Sequence, residues 1–217
     1  MQTFITNNLL WSQAPGIVLV LVLCAILALW LYRPLLFLVI LAAVFSIYFF
    51  RNPERVCIPA LHDPSIIVCP ADGKVISVTS RPDDGIEGYA HKVSIFLSPF
   101  DVHVNWVPVA GVVESIVYRS GTFSFAFLPK SSELNERNDV HIRARNNQEL
   151  VVRQIAGTIA RRICCWVKPD DTVSVGQTFG MIRFGSRVDV LLPTDVRIVV
   201  GVGQRVYGGQ SVLGVWQ

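Results

Sequence analysis

DTVSVGQTFGMI, residues 171–182, and QRVYGGQSVLGV, residues 204–215, align without a gap. Each carries a valine, then a Gly-Gln pair (Gly176-Gln177 and Gly209-Gln210), then an apolar run. Apolar stretches this short, broken by glycine, read as strand, turn and strand. Their repetition predicts a fold built twice on one plan. PADGKV (70–75) and PVAGVV (108–113) form a second pair, each a P-x-x-G-x-V turn leading into a strand. Working outward, runs rich in Val, Ile and Phe recur at 74–79, 92–97, 111–118, 188–192 and 196–200, punctuated by Pro, Gly and Asp. Helical patterning is expected only for a short segment around Ser131–Arg137. Residues 51–217 are therefore predicted to form a mainly β domain, sandwich or barrel-like, with internally duplicated strand-turn-strand units.

The N-terminal part is physically different. Hydrophobic residues make up 52% of the 217 and the mean hydropathy is +0.47, which is high for a wholly soluble chain. The excess lies in GIVLVLVLCAILALWLY (16–32) and LLFLVILAAVFSIYFF (35–50), both uncharged and near the lower length limit for a spanning helix. Pro34 ends or kinks a helix and Arg33 is costly in hydrocarbon, so the two runs predict a two-helix hairpin and residues 1–50 a membrane anchor. No Lys or Arg precedes Gly16, and the apolar stretch is too long for a signal peptide. Arg51 and Arg55 directly follow, which places the β domain on the cytoplasmic side of a membrane. A net charge of only +3, with arginines scattered among acids, argues against nucleic acid as a partner. The five cysteines lack paired C-x-x-C spacing, so free thiols and no metal site are expected.

The P-x-x-G-x-V and V-x-x-G-Q elements are similar to those of biotinyl and lipoyl carrier modules, which display a lysine at a hairpin tip. Here that tip reads Arg183-Phe184-Gly185-Ser186-Arg187, so a carrier lacks its attachment residue. FGMIRFGSRVDVLLP (179–193) resembles the Gly-Ser processing site of short-form phosphatidylserine decarboxylases. Further blocks match that family in the same order: FFRNPER (49–55), PADGKV (70–75), LSPFDVHVNWVPVAG (97–111), NERN (135–138) and QIAGTIARRI (154–163). The resemblance runs from about Phe49 to the C-terminus.

It implies a carboxy-lyase made as a zymogen. The chain would cut itself between Gly185 and Ser186 and convert Ser186 to a covalent pyruvoyl group by autocatalytic serinolysis. That cofactor would then decarboxylate phosphatidylserine to phosphatidylethanolamine through a Schiff base. The residue types suit the chemistry, since glycine leaves the scissile carbonyl uncrowded and the adjacent hydroxyl can reach it. A serine hydroxyl also needs a base, and the base an orienting partner.

Carried over from the family, Asp72 matches the orienting or proton-handling aspartate and His103 the first histidine of its block. Asn135, Glu136 and Arg137 are expected at the substrate, where Arg137, with Arg143, Arg145, Arg161 and Arg162, would meet phosphate or carboxylate. Long-form relatives read D-x-H-x-x-H, whereas this chain has Trp106 at the second histidine. The base for self-cleavage is thus left among His103, His91 and His141. The expected partners are phosphatidylserine, the lipid bilayer and the two cleavage fragments of the chain, with homo-oligomerisation left open. Two alternatives remain on these residues: a membrane-anchored noncatalytic β-domain acting as carrier or assembly module, and a pyruvoyl decarboxylase of another amino-bearing substrate. A zinc peptidase is disfavoured because His103-Val104-Asn105 lacks the second histidine of an H-x-H strand.

Overall fold

A computed structural model describes residues 8–80, 88–121, 135–157, 162–183 and 186–217. The chain divides into two compact units, Met1–Glu54 and Arg55–Gln217. In the first, helices α1 (Leu10–Gln13), α2 (Pro15–Leu31) and α3 (Leu35–Phe49) follow one another. Pro15 opens α2, where a missing N–H is harmless. Pro34 stands at the N-cap of α3, so the chain breaks where the sequence predicts. Asn8 Nδ2 donates to the Ile47 carbonyl at 2.8 Å and the Leu9 N–H to the Phe50 carbonyl at 2.9 Å, which joins the two ends of the hairpin. At 17 and 15 residues, α2 and α3 are about 25 and 22 Å long. Among the described residues no helix is long and apolar enough to cross a membrane.

The second unit holds a short helix α4 (Ile58–His62) and fourteen strands among the described residues. They are β1 (Ile66–Val68), β2 (Gly73–Ser80), β3 (His91–Leu97), β4 (Val104–Trp106), β5 (Gly111–Arg119), β6 (Arg137–Ala144) and β7 (Glu149–Ala156). There follow β8 (Ile163–Cys165), β9 (Thr172–Val173), β10 (Thr178–Ile182), β11 (Ser186–Leu192), β12 (Val196–Ile198), β13 (Arg205–Val206) and β14 (Val212–Trp216). The main sheet runs β13-β2-β3-β11-β7-β6-β5-β9, and two small sheets run β1-β14-β12 and β4-β10-β8. The main sheet ends at β13 and β9, so the domain is mainly β, as expected, without being a closed barrel. Of the helix expected over 131–137, residues 131–134 lie outside the described residues; Arg137 opens β6, so its described end is extended.

The duplication read from the sequence is visible bond by bond. The Gly176 N–H donates to the Val107 carbonyl and the Gly209 N–H to the Cys69 carbonyl, both at 2.9 Å. Each acceptor directly precedes the proline of a P-x-x-G-x-V turn. Gly176 and Gly209 have φ of 76° and 70°, backbone that glycine adopts without strain. Val206 pairs with Gly73 as Val173 pairs with Gly111. The halves also cross-link reciprocally, the Trp106 N–H to the Pro70 carbonyl at 2.9 Å and the Val68 N–H to the Pro108 carbonyl at 3.0 Å.

Strand alternation gives the main sheet two different faces. One carries Val93, Ile95, Val140, Val152, Val188 and Val190 into the core shared with Phe179, Ile182 and Leu213 of the small sheets. The other carries two buried ion pairs, Arg153 with Asp139 (2.6 and 3.0 Å) and Arg187 with Asp189 (2.6 and 2.9 Å). Register sets Arg153 opposite both Asp139 and Asp189, so the charges neutralise across three strands.

Candidate functional site

Ser186 is the first residue of β11, the strand between β3 and β7, and pairs with Leu97 on one side and Ala156 on the other. Alternation from Val188 and Val190 turns its side chain to the core face. The residue is 0% exposed, and its Oγ has no hydrogen-bond partner among the described residues. A buried hydroxyl left so costs about 1–3 kcal/mol, which a strand would avoid with alanine. Gly185, the other half of the expected scissile pair, lies outside the described residues.

His103, also 0% exposed, approaches from the opposite layer. Its carbonyl accepts the Ile182 N–H at 3.1 Å, so it is pinned where β10 leaves for the four-residue step to Ser186. The ring Nδ1 lies 3.0 Å from the Asp101 carbonyl. A carbonyl can only accept, so Nδ1 carries a proton, and when the ring is neutral Nε2 is its basic nitrogen. Asp101 fixes the loop in turn, taking the Ser98 N–H at 2.8 Å and its hydroxyl at 2.7 Å while pairing with Arg205. That carboxylate raises the pKa of the Arg205 guanidinium. Ser98 follows Leu97, the partner of Ser186, so His103 and Ser186 share one end of the sheet.

Asp72 is buried and held by both terminal nitrogens of Arg55 and by the Gly208 N–H at 2.9 Å. Arg55 lies 4.8 Å from the ring centroid of Trp106, the residue at the expected second-histidine position. Asp72 is thus linked to the β4 segment by way of Arg55 and Trp106.

Asn135, Glu136 and Arg137 are buried at the same end of the sheet, one strand beyond Ala156. Asn135 Nδ2 donates to the Ala156 carbonyl at 2.8 Å, and the Ala156 N–H donates to the Glu136 carbonyl at 2.9 Å. Glu136 also takes the Tyr118 hydroxyl at 3.0 Å. Arg137 pairs with Ile155, which pairs with Arg187. The other arginines are less closely placed: Arg143 is exposed and meets Glu114 at 3.1 Å, Arg145 and Arg162 are exposed, and Arg161 lies outside the described residues. His91 pairs with Leu192, the far end of β11 from Ser186, and His141 meets Glu149 at 2.6 Å. Neither is brought to Ser186.

Sequence reasoning passed over a row of buried amides on the core face. Asn138 Nδ2 donates to Gln154 Oε1 at 3.0 Å, and Gln154 Nε2 donates to Asn105 Oδ1 at 2.8 Å. Gln154 crosses β10 at Gly180, where a Cβ would lie 2.8 Å from Nε2 and 2.4 Å from the Cys164 carbonyl oxygen. Asn105 Nδ2, at the end of the row, is buried without a partner among the described residues. The available signal was that Asn105 and Gln154 fall inside two of the matching blocks. A cavity of about 690 Å³ lies apart from the amide row and is lined by Leu61, His62, Ile66, Ala110, Arg145 and Trp216. It contacts Ala110, which takes the place of Asp72 in the second P-x-x-G-x-V turn. The five cysteines are free, and burial pushes the Cys69 thiol well above its ordinary value.

The chain is thus a duplicated antiparallel β fold with a buried serine, its hydroxyl without a partner among the described residues, opening an inner strand of the main sheet. Comparison with known proteins makes this specific. The family described as phosphatidylserine decarboxylase matches residues 42–214. The chain is 45% identical over 181 residues to a phosphatidylserine decarboxylase proenzyme of Desulfotalea psychrophila, covering 83% of each. Similar proenzymes occur in Syntrophus aciditrophicus, 47% identical over 179 residues and 81% of each, and in Salinibacter ruber, 46% identical over 187 residues, 85% of this chain and 82% of the relative. The chain belongs to the phosphatidylserine decarboxylase family.

Proposed function

We propose that this chain decarboxylates phosphatidylserine to phosphatidylethanolamine, and that it first cuts itself between Gly185 and Ser186 to make a pyruvoyl group from Ser186. The observation that carries the reading is the Ser186 hydroxyl, buried and unpartnered at the head of the central strand. The relatives' designation as proenzymes supports a chain that must be processed.

In the proposed self-cleavage, Nε2 of His103 takes the proton of Ser186 Oγ. The oxygen attacks the Gly185 carbonyl carbon, the C–N bond breaks, and the nitrogen of residue 186 takes a proton, which leaves an ester and a free amine. Removal of the α-proton of residue 186 then breaks the Cβ–O bond and releases the Gly185 carboxylate. The resulting enamine takes a proton at Cβ to become an imine, which water hydrolyses, releasing ammonia and leaving a pyruvoyl cap on Arg187. The residues present fit that group: it takes the place of a side chain that has no hydrogen bond to lose and stands between Leu97 and Ala156. When formed, it supplies a carbonyl that captures an amine and accepts the electron pair left as carbon dioxide departs. Asp72 orients the β4 segment through Arg55 and Trp106, while Asn135, Glu136 and Arg137 border the substrate. Arg137 is the cation suited to its phosphate.

The apolar hairpin of residues 1–50 favours a lipid presented at a membrane, with the β domain on the cytoplasmic side. One experiment tests these elements together. Membranes from expressing cells are treated with phosphatidylserine and cyanoborohydride, and the protein is weighed intact. A short fragment beginning at residue 187 plus its cap, carrying the lipid as a covalent adduct and found in the membrane fraction, is the expected result. Full-length active chains with an ordinary serine at 186 would refute the pyruvoyl reading, and recovery of all the protein outside the membranes would refute the anchor.

A further inference from the structure

We propose that Nδ2 of Asn105 is a hydrogen-bond donor to the oxygen that carries negative charge beside residue 186 during the reaction. The inference rests on the self-cleavage reading above and adds a group to it. Gln154 precedes Ala156 by two residues on the same face of β7, and Ala156 is the register partner of Ser186. Gln154 is therefore the diagonal neighbour of Ser186, about 7–8 Å away between Cα atoms. Its amide reaches from there to Asn105 Oδ1 at 2.8 Å. Asn105 stands two residues after His103, whose carbonyl is tied to Ile182 at the end of β10. The amide and the imidazole thus enter the Ser186 end of the core on one segment.

The orientation of the amides follows from their surroundings. The Cys164 carbonyl, 3.5 Å from the Gln154 amide nitrogen, can only accept. This puts Nε2 on the Asn105 side and Oε1 on the Asn138 side, where Asn138 donates to it. Oδ1 of Asn105 then faces Gln154, and Nδ2 is the end of a row in which every amide donates to the next. Gly180 is required for this path, because a Cβ there would collide with Gln154 Nε2 at 2.8 Å. A row held in place this way and ending in an unsatisfied donor suits an acceptor that appears only during reaction, and preorganised donors of this kind are the largest contributors to many acyl-transfer steps.

Two oxygens have the required chemistry: the scissile carbonyl oxygen as Ser186 attacks, and a carboxylate oxygen of the substrate. Asn105→Asp separates them. Aspartate keeps the shape and the acceptor for Gln154 but loses the donor when ionised, and it regains one, an O–H, when protonated. Burial raises a carboxyl pKa, so the variant should recover as pH falls from 8 to 6. Rates are read as variant over parent at each pH, which cancels the titration of His103. If the acceptor is the scissile carbonyl, fragment formation at pH 8 should slow by about 100-fold, the size typical of one lost donor, and should recover at pH 6. If it is the substrate, cleavage should be normal while the KM for phosphatidylserine shows the same pH-reversible rise. Asn105→Ala, neutral and smaller, should show the loss at both pH values, and it decides the matter should aspartate prevent folding. Parental cleavage and parental KM in a folded variant at both pH values would overturn the proposal. That outcome leaves the self-cleavage reading standing, whereas fragments formed by a Ser186→Ala chain would overturn that reading instead.

Discussion

Ser186→Ala is expected to give a single full-length chain with no decarboxylase activity and no carbonyl that reacts with phenylhydrazine. The substitution removes the only atom proposed to attack Gly185, so the loss should be complete and not graded. Stability should behave differently. The hydroxyl is buried without a partner, so alanine removes an unsatisfied group while keeping the strand register, and the melting temperature should hold or rise. Ser186→Thr retains a hydroxyl, but its extra methyl must fit between Leu97 and Ala156, where a well-packed core resists added volume. That variant should therefore cut slowly. Gel analysis and intact mass read the cleavage, and a thermal melt reads the fold. Normal fragments from Ser186→Ala would show that the chain is cut elsewhere or by another agent.

His103→Asn should slow fragment formation by about 10²–10⁴-fold, the usual contribution of a positioned base. Asparagine is the informative substitution because its Nδ2 can take the place of the histidine Nδ1 and keep the bond to the Asp101 carbonyl. The fold should survive while the basic Nε2 is lost. Asp72→Asn should behave in the opposite way. It breaks an ion pair whose partners are almost fully buried, and such a break typically costs about 3–5 kcal/mol. Cleavage should then fall together with the melting temperature. Parental cleavage by a folded His103→Asn chain would remove His103 from the proton path. Lost cleavage in Asp72→Asn with an unchanged melt would move Asp72 from orientation into proton handling.

The duplicated β plan was legible in the sequence because a turn glycine at positive φ and a flanking valine strand are local requirements, and local requirements repeat when a unit repeats. The break at Pro34 was legible for the same reason. Sheet order was not, because β11 pairs with β3 and β7, strands distant from it in sequence. Arg187-Val188-Asp189 has the alternation of a strand with one solvated face, yet both charged residues are buried, a condition set by cross-strand partners. At the site, Ser186 and His103 could be proposed from their blocks. The partner of Asp72 could not, although Arg55 lies in a quoted block, since nothing in FFRNPER says which carboxylate its arginine meets. The amide row is the hardest part to read. Asn105, Asn138 and Gln154 are uncharged, sit on three strands of two sheets, and become a unit only where Gly180 lets one side chain cross another strand.

The position of β11 also determines what a cut at residue 185 does to the molecule as an object. Residues 186–217 supply the middle strand of the main sheet together with β12, β13 and β14, and β11 is laddered to β3 on one edge and to β7 on the other along most of its length. A fragment at a sheet margin could peel away and be exchanged. The fragment of the proposed cut could leave only by opening the sheet at its centre, so dissociation of the two polypeptides and unfolding would be the same event. Such pieces would be stoichiometric from their common precursor, and dilution would give them no low-energy route apart. A separately synthesised partner would have to enter a slot that stays open only while the rest of the sheet is unformed. The proposed break would therefore change the chemistry at one chain end without giving the two pieces an independent existence.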